Sequence, residues 1–107
     1  MKIHALALLA AAPLLALAPG TAAQDPAAKA LDDAMQKMMH GMHMQSTGDP
    51  DKDFAIMMIV HHQGAIDMAK VELEHGDDPQ MRALAAEVIA AQEQEIAEMK
   101  AWLEAQE

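Results

Sequence analysis

Residues 49–76 read DPDKDFAIMMIVHHQGAIDMAKVELEHG, and this stretch decides the fold. It opens on Asp49-Pro50 and closes on His75-Gly76. Proline disfavours helical dihedrals in the residue before it, while its own fixed φ suits the first helical position, so Asp49 is placed to cap a helix. Glycine after the last periodic residue is a C-terminal stop. The same Asp-Pro pair recurs at Asp25-Pro26 and Asp78-Pro79, and Ser46-Thr47-Gly48 separates the first helical stretch from the second. The spacing predicts helices over residues 26 to about 45, 50 to 75, and 79 to about 106. No strand pattern competes, because Ala, Met, Leu, Glu, Gln and Lys dominate. Short connections make neighbouring helices antiparallel, so the expected fold is all-α: a small up-down bundle of three main helices that closes alone or is completed by a second copy.

Helical periodicity assigns faces. In the second helix Phe54, Met57, His61, Ala65, Met68 and Glu72 fall on one side, with Met58, His62 and Ala69 beside them, and Gln63, Asp67, Lys70 and Glu74 lie opposite. In the third, Met81, Leu84, Ala85 and Val88 continue into Gln92, Glu95, Ile96, Met99 and Leu103. In the first, Leu31, Met35, Met38 and Met42 group together.

The whole chain has 107 residues, 17 acidic against 7 basic side chains, 11 Met and no Cys. One domain fits that length. A net charge of −10 argues against nucleic acid or an anionic lipid surface as a partner. Without cysteine there is no disulfide framework, thiolate metal site or thiol redox chemistry. Residues 1–23 read as a secretory signal: Lys2 supplies the positive start, residues 5–18 are apolar apart from Pro13, and Thr21-Ala22-Ala23 offers small residues for cleavage. Fourteen apolar residues are short of the roughly 20 that span a bilayer. Cleavage after Ala23 leaves residues 24–107 as an exported, periplasmic or secreted domain with no membrane association, and takes the net charge from −10 to −11. Ten of the methionines remain in that domain, whose 84 residues sit just above the size, about 70 to 80, at which one core supplies only a few kcal/mol. A metal ion or a homodimer would supplement it.

The expected inward faces carry groups that a simple core does not need. His61, His62 and Glu72 on the second helix, with Gln92 and Glu95 on the third, are costly to bury unless they partner one another, water or an ion. Met57 precedes His61 by four residues, Met58 precedes His62 by four, and Met68 follows His61 by seven, spacings that set thioether beside imidazole on a helix. A second concentration spans residues 35–44, where Met35, Met38, Met39, His40, Met42, His43 and Met44 crowd ten positions; Met39 with His43 and His40 with Met44 are again four apart. Gly41 weakens the helix within that run. Antiparallel folding is expected to carry Met57 towards His40 and Met99, and His61 towards Glu95 and Gln92, gathering these groups at one end. Methionine at helical spacing also serves as ordinary core filling. Thioether sulfur is soft and needs no deprotonation, and with imidazole it suits Cu(I) and by analogy Ag(I), in a compartment where thiols would oxidise. Zinc, which prefers carboxylate and imidazole, is the lesser alternative at His61, His62 and Glu72.

Asp53-Phe54, Met57-Met58-Ile59, His61-His62, Gly64-Ala65-Ile66 and Met68-Ala69, followed by Arg82, Leu84-Ala85, Ile89, Gln92, Glu95-Ile96, Met99 and Trp102-Leu103, together resemble the domain of unknown function 305 family. That resemblance spans about residues 49–103. It implies a ferritin-like helical fold and, through the exported copper-binding CopM-type members, metal contact at Met57, Met58, His61, His62, Met68 and Met99. Glu72 stands where such relatives often have a small residue. The run of residues 35–44 lies outside the strongest motif, and its role follows from its own composition.

The function expected is an exported, non-enzymatic protein that sequesters Cu(I) or Ag(I), or hands it to a delivery protein, in metal tolerance. Its ligands are drawn from the six residues above together with Met35, Met39, His40, Met42, His43 and Met44; Gln92, Glu95 and Glu72 support them from behind. The alternative is a Met-rich interaction or structural module of the cell envelope, since soft packing and soft ligation use the same side chains. A di-iron carboxylate enzyme is the third reading, and it is short of ligands: Glu72 with His75 is one Glu-x-x-His pair where two are needed, and the third helix has no His. Nucleophilic catalysis and phosphate binding find no motif, as Ser46 and Thr47 lie in a turn and no Gly-rich loop is present.

Overall fold

The structure is a computed structural model and describes residues 25–107. Three helices account for nearly all of it: α1 (Pro26–Gly41), α2 (Pro50–His75) and α3 (Pro79–Ala105). Each begins at an Asp-Pro pair, and each aspartate caps as its chemistry requires. Asp25 accepts from the Ala27 amide at 3.0 Å, Asp49 from Asp51 at 2.9 Å, and Asp78 from Met81 at 2.9 Å. These bonds satisfy N–H groups that a helix start leaves free. At the other end of α2, Arg82 donates to the carbonyls of Leu73 at 2.6 Å and Gly76 at 3.1 Å, occupying acceptors that the helix end leaves open. The leader expected over residues 1–23 lies outside the described residues.

α1 ends at Gly41, four residues before the expected end near Gln45. Two causes are visible. Glycine is a poor helix residue, and Asp53 at the start of α2 captures the following segment in a turn: it accepts from the Ser46 hydroxyl at 2.6 Å, the Thr47 amide at 2.9 Å and the Thr47 hydroxyl at 2.7 Å. These bonds hold the Asp53 carboxyl below its ordinary pKa, the Ser46 hydroxyl most of all. Gly48 completes the turn with φ +86°, where a side chain would be strained.

α2 and α3 run antiparallel along a seam of small and apolar residues. On α2 the inward positions are Ala55, Ile59, His62, Ile66, Ala69 and Leu73; on α3 they are Arg82, Ala85, Ile89, Gln92, Ile96, Met99 and Leu103. Both series advance by alternating steps of three and four, the 3.5-residue repeat of coiled-coil packing. α1 packs on a different line of α2, through Val60, Gly64, Asp67 and Val71. Glycine is required at Gly64, because a β-carbon there would come within 2.5 Å of the Met38 sulfur and 2.9 Å of the Met38 Cβ. One β-carbon at Gly41 would likewise meet Val60 at 2.8 Å. Lys37 of α1 reaches Asp67 of α2 at 3.3 Å, a rim contact from an exposed lysine to a half-buried aspartate.

At 100° per residue, the α1 line and the α3 line lie on nearly opposite sides of α2. Accordingly α1 and α3 each pack on α2, and they do not pack on each other. The up-down-up bundle is therefore a single layer with α2 in the middle. Its best-buried residues are few and small, Ile66 at 2% exposure being the most enclosed, and no side chain among the described residues is fully buried.

Candidate functional site

The layer has two faces, and they differ in chemistry. One is floored by Ile59 and Gln63 of α2, with Lys37 and His40 from α1 and Lys100 from α3 around it. The other carries Leu31 of α1 beside Val71 and Glu72 of α2, continues through Met68 to Met81, Leu84 and Val88 of α3, and ends at Phe54, Met99 and Trp102. Helical register puts Met35 and Met39 on the Leu31 line of α1, and Met57, Met58, His61 and Ala65 on the line between Phe54 and Met68 of α2. The second face is thus continuous, apolar and rich in thioether.

None of the ten described methionines is buried. Met35 is 53% exposed, Met39 55%, Met57 38% and Met81 44%. The interior consists instead of Ala34, Ala55, Ile66, Ala69, Ala85 and Ile96. Met38, packed against Gly64, and Met99, in the seam, serve packing; thioethers that merely filled space would otherwise occupy those interior positions.

At the edge of this face, where α2 meets α3, His62 is buried at 6% exposure. Its Nε2 pairs with the Glu95 carboxylate. An ionised carboxylate only accepts, so Nε2 carries a proton, and in the neutral ring Nδ1 then keeps the free lone pair. Nδ1 is buried and has no hydrogen-bond partner. A carboxylate fixing one imidazole nitrogen while the other presents its lone pair is the second-shell pattern of metal-ligating histidine. The His61 ring lies edge-on to that of His62, centroids 6.0 Å apart, and is exposed.

Two expectations about α2 are corrected by one residue of helical phase. Glu95 is met by His62 and not by His61. The stripe from Phe54 to Glu72, expected to face inward, is the open face, and the seam lies one residue along it, at Ala55, His62 and Ala69. The cause is side-chain size: Ala55 and Ala69 mark the line where α3 can approach closely. A third correction concerns α1: with the helix ending at Gly41, His43 and Met44 lie beyond it, so Met39 with His43 and His40 with Met44 are not helical neighbours.

Antiparallel pairing does bring the end of α1, the start of α2 and the end of α3 to one end of the layer. The proposed ligands are spread along it, however: Met68 lies in the groove with Glu72 and Leu84, Met99 in that with Phe54 and Trp102, and His40 on the opposite face. Met42 and Met44 are half-buried in the turn and His43 is exposed there. Gln92 is half-buried in the seam, and Glu72 is half-buried on the open face. No group of three or more His, Asp or Glu side chains is placed to hold a metal ion among the described residues. Met81, which sequence reading left in a packing role, belongs to the open face; its place on the same helical line as Leu84 and Val88 was the available signal. The role of Arg82 in closing the end of α2 had no local signal, because its carbonyl partners lie six and nine residues away.

The fold and this face define an all-α protein whose described residues form three helices, with a thioether-rich apolar surface and a carboxylate-backed histidine at its edge. The chain belongs to the family described as domain of unknown function 305, which it matches over residues 7–103. That match takes in α1 and its methionines as well as the α2–α3 hairpin. No curated protein gives a match to this chain.

Proposed function

We propose that the protein is an exported, non-enzymatic carrier or scavenger of Cu(I), with Ag(I) as the accompanying substrate, in metal tolerance. The observation that carries this reading is the position of the methionines: all ten lie outside the buried set, and most line one face together with His61. Soft, uncharged sulfur donors at a surface suit a soft monovalent cation. His62 supports it, since its Nδ1 is buried, partnerless and electronically set by Glu95. The acidic balance, −10 over the chain, raises local cation concentration. The leader over residues 1–23 and the absence of thiols fit an oxidising compartment.

The test is competition for Cu(I) against a chromophoric chelator under anaerobic reducing conditions. The wild-type protein is compared with a variant in which Met35, Met39, Met57 and Met68 are changed to leucine, which preserves apolar packing. Affinity should fall by at least tenfold, about 1.4 kcal/mol, with helicity unchanged. Micromolar or weaker binding, equal in both proteins, removes the reading. An apolar open face also fits the second reading, a helical interaction module, and the same substitution separates the two because leucine keeps packing and loses ligation.

A further inference from the structure

We infer that the methionine-bearing face of the layer is covered by a second copy of this chain, making a two-layer dimer. The inference stands on geometry and does not depend on copper.

Stable domains are built from at least two packed layers of secondary structure around a core. The described residues supply one layer. α1 and α3 pack on α2 and not on each other, no side chain among the described residues is fully buried, and Phe54, Leu84 and Trp102 stand 63%, 50% and 39% exposed. The exposed large apolar residues fall on one face, not at scattered positions. α2 has 26 residues, hence a length of roughly 39 Å, and three axes at about 9 Å spacing give a face of about 1,000 Å². A standard stable interface takes about 800 Å² from each partner. One face of the layer therefore matches what a dimer needs.

The choice of a second copy follows from charge and shape. With a net charge of −10, polar surfaces of two copies repel, so association favours the apolar face. A broad open face of three helices can meet the same face of a second copy about a two-fold axis, the commonest oligomeric arrangement. The competing occupant is the apolar segment of residues 1–23, laid along the face of its own chain.

Sedimentation equilibrium of the metal-free full chain tests this. The expected mass is twice the 11.5 kDa of the chain. Leu84→Glu combined with Met81→Glu should raise the dimer dissociation constant at least a hundredfold with helicity retained, and Phe54→Glu should act in the same direction as an independent probe of the face. Gln63→Glu, on the opposite face, should leave the dimer unchanged. A monomer at the highest attainable concentration overturns the inference, as does a dimer indifferent to all three open-face substitutions. A full chain that is monomeric, but dimerises once residues 1–23 are removed, overturns it by assigning the face to that segment. Loss of copper binding with the dimer intact would remove the proposed function and leave this inference standing.

Discussion

Two stripes on α2 lie about a third of a turn apart and have nearly the same hydrophobic content. Ala55, Ile59, His62, Ile66, Ala69 and Leu73 form the seam against α3; Phe54, Met57, His61, Ala65, Met68 and Glu72 form the open face. What separates them is side-chain bulk. The seam advances in the 3.5-residue repeat that keeps it under α3 along the whole helix, and its alanines let the backbones approach. The open stripe carries longer, softer side chains that protrude. A helix in this protein is therefore not simply amphipathic: it has a tight line built for packing and, beside it, a sulfur-rich line free to meet a ligand or a second copy.

Matched truncations give the largest expected effect and could break the distinction. Ile66 is 2% exposed and Met57 38% exposed. Ile66→Ala should cost about 2 to 5 kcal/mol, from lost transfer energy and the cavity left behind. Met57→Ala should stay within about 0.5 kcal/mol in protein dilute enough to be monomeric, as expected of a position exposed in the single chain. Urea denaturation of both variants checks this at a protein concentration fixed within the series, because a dimer makes stability concentration-dependent. Equal losses in dilute protein would mean that the open stripe is core.

The line facing α1 is tight for a different reason, and its test is the next in size. Gly64→Ala places a β-carbon 2.5 Å from the Met38 sulfur and 2.9 Å from the Met38 Cβ. The sulfur can swing away, but the Cβ moves only with the α1 backbone. Overpacking costs about 1 to 3 kcal/mol, against a helix-propensity gain of up to about 1 kcal/mol, so the net expectation is a loss of about 1 to 2 kcal/mol. Adding Met38→Gly, which removes that Cβ, should relieve the clash, giving a coupling energy above about 0.5 kcal/mol in a double-mutant cycle once the cost of Met38→Gly alone is subtracted. Additive losses would show that Gly64 and Met38 do not meet.

How far these features could be read from the chain depends on how local their causes are. The three helix starts were legible because an Asp-Pro cap acts within three residues of itself, as the bonds from Ala27, Asp51 and Met81 show. The end of α1 was not, since it depends on Asp53 reaching back six and seven residues to Thr47 and Ser46. The choice between the two stripes was hidden by a wheel that scores Met and Ala alike: only the approach of α3 distinguishes them, and that is a tertiary fact. The same limit moved the Glu95 partner from His61 to His62, a single step of 100° on the helix. The residue types of the site, methionine and histidine with a supporting Glu95, were readable; their division between seam and face was not.

The smallest effect concerns the turn in which the methionine and histidine run leaves α1, and it sharpens the contrast by asking whether that run shares the stability of the seam. The Asp53 carboxyl is held below its ordinary pKa by the Ser46 hydroxyl first, then by the Thr47 amide and hydroxyl. A carboxyl with a depressed folded value contributes its stabilisation above the unfolded value, about 3.9, and loses it as pH falls through the lower folded one. Between pH 7 and about 4.5 the turn should therefore hold Met42, His43 and Met44 in place. Below about pH 4 it should loosen, while the α2–α3 seam, held mainly by alanine and isoleucine contacts with the His62–Glu95 pair as its one ionic contact among the described residues, remains. The expected reading is an NMR titration in which the Thr47 amide shifts below pH 4 and the Ile66 amide does not. Asp53→Asn should abolish the Thr47 transition and leave the turn equally loose at neutral pH. If Thr47 and Ile66 shifted together, the run would belong to the same cooperative unit as the seam, and the separation between a packed line and a freer thioether surface would fail at that end.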